Sequence, residues 1–242
     1  MDENKNCRRI YIRHADKEYS NGDANLYKHD PGITNDGAEK SRMVANYLLD
    51  QWGPPSLIIV SPYRRTRETA EIMNLTLKTK VPSSQAQMVV DSDMSEYLGN
   101  HRGIPIDVTD STLIHDPPHP ETFLEMRRRV KRHHKRIRKY IKTVENSPKP
   151  GKQKQKQNQS KVIWIVTHGL IIKQIASLIG IKMAKEFPPL TCLSVIDGDT
   201  ITKSEVITFK NKNDKDDSPL TSDDEDDSTN IYQNTRDNLN IK

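Results

Sequence analysis

The sequence predicts an α/β protein in which a mostly parallel sheet carries helices on its faces. Two observations support this. Three short runs, residues 10–12, 57–60 and 162–166, are apolar without alternation, as strands buried on both faces require. Each run is followed, after a turn or loop, by apolar residues at helical spacing, and no internal repeat interrupts the pattern.

The first run, Ile10-Tyr11-Ile12, is β-branched or aromatic and ends in Arg13-His14-Ala15-Asp16. Polar groups at the end of an apolar strand stand where α/β proteins place ligands. Residues 17–32 are polar and rich in turn formers, so they read as a loop, with Lys17, Lys28 and His29 as candidates to face a ligand. Asp36 suits a helix cap ahead of Met43, Val44, Tyr47 and Leu48, and Gly53-Pro54-Pro55 ends that helix.

The second run gives way to Ser61-Pro62, an N-cap residue with proline at the first helical position, so a helix is expected to start there. Arg64, Arg65 and Arg67 fall in its first two turns, where they oppose the helix dipole unless an anion binds beside them. Residues 87–90 read as a short strand before the acidic, glycine-marked stretch 91–103.

After Pro117, Pro118 and Pro120 a helix is expected from near Glu121, with Phe123, Met126, Val130, Ile137 and Ile141 as apolar anchors. Ten Lys or Arg residues lie between Arg127 and Lys142. A solvated helix face accounts for such a run, and so does a surface for nucleic acid or another acidic partner along residues 121–142. The third apolar run ends in Thr167-His168-Gly169, and residues 170–179 read as a buried helix closed by Gly180. Residues 190–196 and 201–209 flank Asp197-Gly198-Asp199 as a β-hairpin.

Composition limits the core. With 33% hydrophobic and 29% charged residues, part of the chain contributes nothing to it. The Lys/Gln-rich insertion 146–161 and the Asp/Ser-rich tail 211–242 are expected to be disordered, which leaves one folded domain over residues 1–210. The tail holds nine acids against four bases, so the rest of the chain carries about +10 against +5 overall, a charge that suits anionic partners. Cys7 and Cys192 lie far apart without metal or redox spacing, which points to a cytoplasmic setting. The N-terminus has no apolar signal core and nowhere do 18 apolar residues run together, so no membrane association is expected.

In an open α/β sheet the three strand ends can converge, bringing Arg13-His14, Ser61-Pro62 with its arginines, and Thr167-His168-Gly169 to one crevice. Two histidines and two arginines in one pocket match phosphoryl transfer. Arginines grip non-bridging phosphate oxygens in a forked geometry, one histidine attacks phosphorus, and the other hydrogen-bonds the developing charge.

At these residues the chain resembles the histidine phosphatase superfamily, also called phosphoglycerate-mutase-like proteins. Arg13-His14-Ala15 stands where that family has Arg-His-Gly, and Ile33-Thr34-Asn35-Asp36-Gly37 resembles its Leu-Thr-x-x-Gly helix start. Ser61-Pro62-Tyr63-Arg64-Arg65-Thr66-Arg67-Glu68-Thr69-Ala70 resembles its Ser-Pro-x-x-Arg-Ala-x-x-Thr-Ala segment, which singles out Arg65. Val166-Thr167-His168-Gly169 resembles the second-histidine motif.

The resemblance implies a three-layer α/β/α fold and a phosphohistidine formed on His14, with the phosphate held by Arg13, Arg65 and His168 and no metal or other cofactor. His14 would attack as neutral imidazole, and His168 would take a proton beside the phosphate dianion. For the proton donor, family members carry a glutamate four residues before the first glycine of a Gly-x-x-x-Gly stretch. Gly99 and Gly103 have that spacing, but the fourth residue before Gly99 is Ser95 and the glutamate, Glu96, is displaced by one. Glu96 is the first candidate and Asp93 the second.

Ala15-Asp16-Lys17 replaces the Gly-Glu-Ser pattern of phosphoglycerate mutases, so the resemblance favours a phosphatase acting on a small phosphorylated substrate or a phosphoprotein. The alternative is a catalytically weak phosphatase fold that binds nucleic acid or another acidic partner through its basic helix. A metal-dependent hydrolase built on His14, Asp16 and His168 ranks last, for want of a ligand motif such as His-Glu-x-x-His.

Overall fold

The computed structural model describes residues 7–18, 30–99, 121–145, 161–180 and 193–197. Among these, five strands form one sheet: β1 (Cys7–Arg13), β2 (Leu57–Val60), β3 (Gln87–Val90), β4 (Lys161–Thr167) and β5 (Leu193–Asp197). Their order is β3-β2-β4-β1-β5, with β5 antiparallel to β1 and every other pairing parallel. The helices are α1 (Asn35–Trp52), α2 (Arg64–Lys80), α3 (Phe123–Glu145) and α4 (Gly169–Leu178), and one 3-10 turn covers Ser92–Met94. The chain steps outward from β1 to β2 to β3 through α1 and α2. Then α3 returns it to β4, in the gap between β1 and β2.

Strand alternation sorts the helices into two layers. Ile10, Ile12, Ile58, Val60, Trp164 and Val166 pack with Val44, Leu48, Ala70, Met73 and Leu77 of α1 and α2. Tyr11, Ile59, Ile163 and Ile165 pack with Met126, Val130 and Ile137 of α3 and with Leu170, Ile171 and Ile175 of α4. Both faces of the central strands are therefore dry, which is why β2 and residues 162–166 carry no polar position. Among the described residues no helix is long and apolar enough to cross a membrane.

Two helix starts differ from the sequence expectation. Thr34, not Asp36, caps α1: its hydroxyl accepts the Gly37 N–H at 3.0 Å, while Asp36 sits in the first turn and pairs with Lys40. The helix α2 begins at Arg64 rather than Pro62, and its cap, Tyr63, makes no side-chain capping bond. Ser61 is not its cap because its hydroxyl is engaged by His168. A carboxylate from a distant loop serves the helix instead, Asp30 accepting the Arg64 N–H at 2.7 Å.

The basic run of α3 is not a uniform solvated face. Arg127, Arg128, Lys131 and Lys135 are exposed, but Arg129 is buried against Glu121, which stands just before the helix. Arg132 and Arg136 reach Asp93, and Arg136 and His133 reach Asp91. Lys161, placed by composition in the insertion, is the first residue of β4. The rest of that insertion, Lys28, His29, residues 201–209 and the tail 211–242 lie outside the described residues.

The first turn of α1 lies directly on the chain that leaves β1. A Cβ on Gly37 would stand 2.9 Å from the Asp16 carbonyl oxygen and 3.0 Å from its amide nitrogen. Neither backbone atom can move without dragging the end of β1, so Gly37→Ala is expected to destabilise the fold by about 1–3 kcal/mol. Denaturant unfolding checks this: the midpoint falls at constant m-value. An unchanged midpoint would show that the contact is soft.

Candidate active site

Parallel pairing of β1 with β4 sets Arg13 opposite Thr167, and the ladder runs one step further, His14 N–H donating to the Thr167 carbonyl at 2.9 Å. His14 and His168 therefore leave adjacent strands side by side, their rings edge-on with centroids 5.4 Å apart. On the other side of β4, Val60 pairs with Val166 and the Ser61 N–H donates to the Val166 carbonyl at 3.0 Å. Three strand ends thus meet where strand order departs from chain order, the position at which α/β sheets bind ligands.

Arg65, buried in the first turn of α2, reaches the same point. Its Nη2 lies 3.3 Å from Glu96 Oε2 and 3.5 Å from His168 Nδ1, its Nη1 lies 3.6 Å from Asp30 Oδ1, and its guanidinium stacks 4.7 Å from the Tyr63 ring centre. Glu96 comes from the segment after β3, with Oε2 2.8 Å from His168 Nδ1. Of the residues singled out in the sequence, His14, Arg65, Glu96 and His168 are brought into contact, and Arg13 at the end of β1 acts on His14 through its charge.

Asp93, the second candidate for proton donor, is not part of this group. It is buried and its two oxygens are taken by Arg132 and Arg136, so it faces α3. Asp16 pairs with Lys40 at 2.8 Å, and Arg64 pairs with Glu68 at 2.7 Å rather than joining Arg65. Sequence reasoning missed three contributors. Ser61 was legible in principle, since it ends a strand as the histidines do. Asp30 shows only as the start of an Asp-Pro-Gly turn. Thr69, whose hydroxyl accepts the Ala15 N–H at 3.1 Å and donates to the Arg65 carbonyl at 2.7 Å, has no signal beyond its place in the motif.

The hydrogen bonds define the state of each histidine. His14 Nδ1 donates to the Ala15 carbonyl at 2.8 Å, which leaves Nε2 with the lone pair. Burial, then Arg65, His168 and Arg13, hold its pKa well below 6.5, so the ring is neutral. Burial also lowers His168, to about 4, against the pull of Glu96, so the proton expected beside a phosphate dianion is not held by the protein alone. As a neutral ring, His168 donates from Nδ1 to Glu96, and its Nε2 accepts from the Ser61 hydroxyl at 2.7 Å.

Ser61, His168 and Glu96 are linked in the order of a serine-hydrolase triad, and the Ser61 hydroxyl, donating to Nε2, fixes the tautomer of His168. Burial raises the Glu96 pKa, but His168, Arg65 and His14 outweigh it and keep the carboxyl well below the usual carboxylate range. Asp30 shifts the other way: burial, only partly offset by the Arg64 amide and the neighbouring arginines, lifts it to about 6.

Ligand atoms of His14, Glu96 and His168 lie within 4.8 Å of one another, a spacing that could hold a metal ion. The buried guanidinium of Arg65 beside the same carboxylate opposes a cation there and suits an anion.

The histidine phosphatase superfamily (branch 1) matches this chain over residues 10–203. No curated protein sequence matches it. Among solved structures, the fold is similar to that of the ecdysone phosphate phosphatase from Bombix mori in complex with tungstate, at 14% identity and a TM-score of 0.57, covering 88% of this chain and 97% of that one. It is also similar to the product of an open reading frame from Mycobacterium tuberculosis, at 16% identity and a TM-score of 0.50, covering 84% of this chain and 96% of that one.

These electrostatics set a pH dependence of stability. His168 is neutral in the fold down to about 4 but is protonated in the unfolded chain below 6.5, so its contribution is present above 6.5 and is lost as pH falls between those values. His14 acts in the same direction. Asp30, raised from 3.8 to about 6, adds stability as pH falls between those values. Unfolding midpoints measured across this range are expected to drop less steeply on acidification in His168→Gln and more steeply in Asp30→Asn. Curves parallel to the wild type would contradict the assignment.

Proposed function

Because the chain belongs to the histidine phosphatase superfamily, branch 1, we propose that it is a phosphatase that hydrolyses phosphate monoesters through a phosphohistidine on His14, without a metal. One observation carries the reading: a buried, neutral histidine, tied at Nδ1 to a backbone carbonyl, stands beside a second histidine, a buried arginine and a carboxylate.

The chemistry follows from these groups. Arg13 and Arg65 hold the non-bridging oxygens of the phosphate, and His168 joins them as its Nδ1–H passes from Glu96 to a phosphate oxygen; together they stabilise charge as it moves onto those oxygens. His14 Nε2 attacks phosphorus while the ester P–O bond breaks and Glu96 gives its proton to the leaving oxygen. Water then attacks phosphorus, passes a proton to Glu96, and the N–P bond breaks to release phosphate and neutral His14. Glu96 is ionised in the protein alone, so it gains its proton when the anionic ester arrives and offsets the pull of Arg65.

The substrate is a small phosphorylated molecule or a phosphoprotein. Hydrolysis is favoured over mutase chemistry by Ala15-Asp16-Lys17. The engagement of Arg129, Arg132 and Arg136 with Glu121, Asp93 and Asp91 weakens the case for the basic helix as a nucleic-acid surface.

Hydrolysis of p-nitrophenyl phosphate in the presence of EDTA tests the proposal. His14→Ala is expected to lower kcat/KM by about 10³-fold or more, and Arg65→Ala by about 10²- to 10³-fold. Since His14 stays neutral well below 6.5, kcat/KM does not fall as pH falls through 6.5. No turnover, turnover indifferent to His14→Ala, or an acid limb centred on 6.5 would overturn it.

A further inference from the structure

The segment that carries Glu96 has almost no regular structure of its own: one 3-10 turn, Ser92–Met94, and then irregular chain to Gly99. Yet its backbone carbonyls are gripped from outside. The Thr167 hydroxyl, on β4 next to His168, donates to the Met94 carbonyl at 2.8 Å. Arg129 of α3 donates from Nη1 to the Asp93 carbonyl at 2.8 Å and from Nη2 to the Glu96 carbonyl at 3.3 Å. The Glu121 amide donates to the Gly99 carbonyl at 3.2 Å. Arg129 is 1% exposed, and its Nε sits 2.9 Å and 3.1 Å from the two carboxylate oxygens of Glu121. One buried guanidinium therefore spans Glu121 on one side and the carbonyls on either side of Met94 and Ser95 on the other.

We infer that Arg129 is a positioning residue for the leaving-group proton: through the Asp93 and Glu96 carbonyls it fixes the backbone from which the Glu96 carboxyl reaches His168 and the ester oxygen. This rests on the phosphatase reading above and goes beyond it, because Arg129 touches neither histidine nor the phosphate-binding arginine in any hydrogen bond. The neighbouring contacts act in the same sense. Arg132 and Arg136 hold Asp93, and His133 and Arg136 hold Asp91, so one face of α3 is bound to the segment that precedes Glu96. The inward half of the basic run thereby has a role that requires no external anion. Buried guanidinium groups suit it because a planar fork can satisfy several fixed carbonyls at once, which an ammonium cannot.

A proton donor matters most when the leaving group is a poor one, so the ratio of kcat/KM for glycerol phosphate to that for p-nitrophenyl phosphate reports its placement. Arg129→Lys keeps a charge opposite Glu121 but loses the fork. The pair Glu121→Gln with Arg129→Gln removes both buried charges and leaves neither unpartnered, in case the single variant folds poorly. In the full chain, both are expected to lower that ratio about tenfold with a smaller change on the aryl ester. Adding Arg129→Lys to Glu96→Gln is expected to change the ratio no further, because the two act as one unit. A ratio unchanged in the folded variants, or a second drop in the Glu96→Gln background, overturns the inference and leaves the phosphatase reading standing. Failure of the wild type to hydrolyse either ester overturns both.

Discussion

Everything at the candidate site depends on the register of β1 against β4. With Arg13 opposite Thr167, the two strands end at the same level and their next residues are both histidines. Because side chains alternate along a strand, a slip of one residue would send His14 to the far face and break the Ile10 and Ile12 packing at once. The same apolar alternation that builds the two core layers therefore fixes the distance between the two rings. The late insertion of β4 between β1 and β2 has a cost in contact order and a functional result: it sets three strand ends in a row, where His14, His168 and Ser61 are neighbours.

Around this register the protein buries several charged side chains. Arg65, Glu96, Asp91, Asp93, Glu121 and Arg129 are all largely withdrawn from water. Burial of such groups is unfavourable unless every one is partnered, and breaking such a pair by removing one side typically costs about 3–5 kcal/mol. The arrangement is therefore better understood as preorganisation than as a source of stability. Arg65 is held between Asp30 and Glu96, and His168 between Ser61 and Glu96, so both are kept at the strand ends and an anion has only to take the place of Glu96. The electrostatics divide the labour between the two histidines through their contacts. His14 is tied to a carbonyl and is neutral, with Nε2 carrying the lone pair, whereas His168 is a neutral ring held between Glu96 at Nδ1 and Ser61 at Nε2.

Much of this was legible in the sequence because it rests on strong local signals. Continuous apolar runs named the strands; His14 and His168 stand just beyond two of them and Arg65 in the first turn of the helix that follows β2. What was not legible depends on contacts between segments far apart in the chain. Thr34 rather than Asp36 caps α1, because Gly37 must lie against Asp16 and so fixes where the helix can start. Ser61 looks like a helix cap, and only the proximity of His168 gives its hydroxyl another use. The sequence ranked Glu96 ahead of Asp93, although the spacing expected of the glutamate falls on Ser95. Which of them stands beside His168 follows from α3, whose Arg132 and Arg136 engage Asp93 and whose Arg129 grips the backbone around Glu96. A run of ten basic residues says nothing by itself about which of them turn inward.

The proposed reaction transfers a phosphoryl group to His14, and the phosphohistidine itself tests it most directly. The protein is mixed with a phosphate monoester, quenched at alkaline pH, where an N–P bond survives, and analysed by intact and peptide mass spectrometry. One added phosphoryl group is expected, on His14, lost on acidification and absent from His14→Ala. Turnover of the ester without that group, or the group on any other residue, would contradict it.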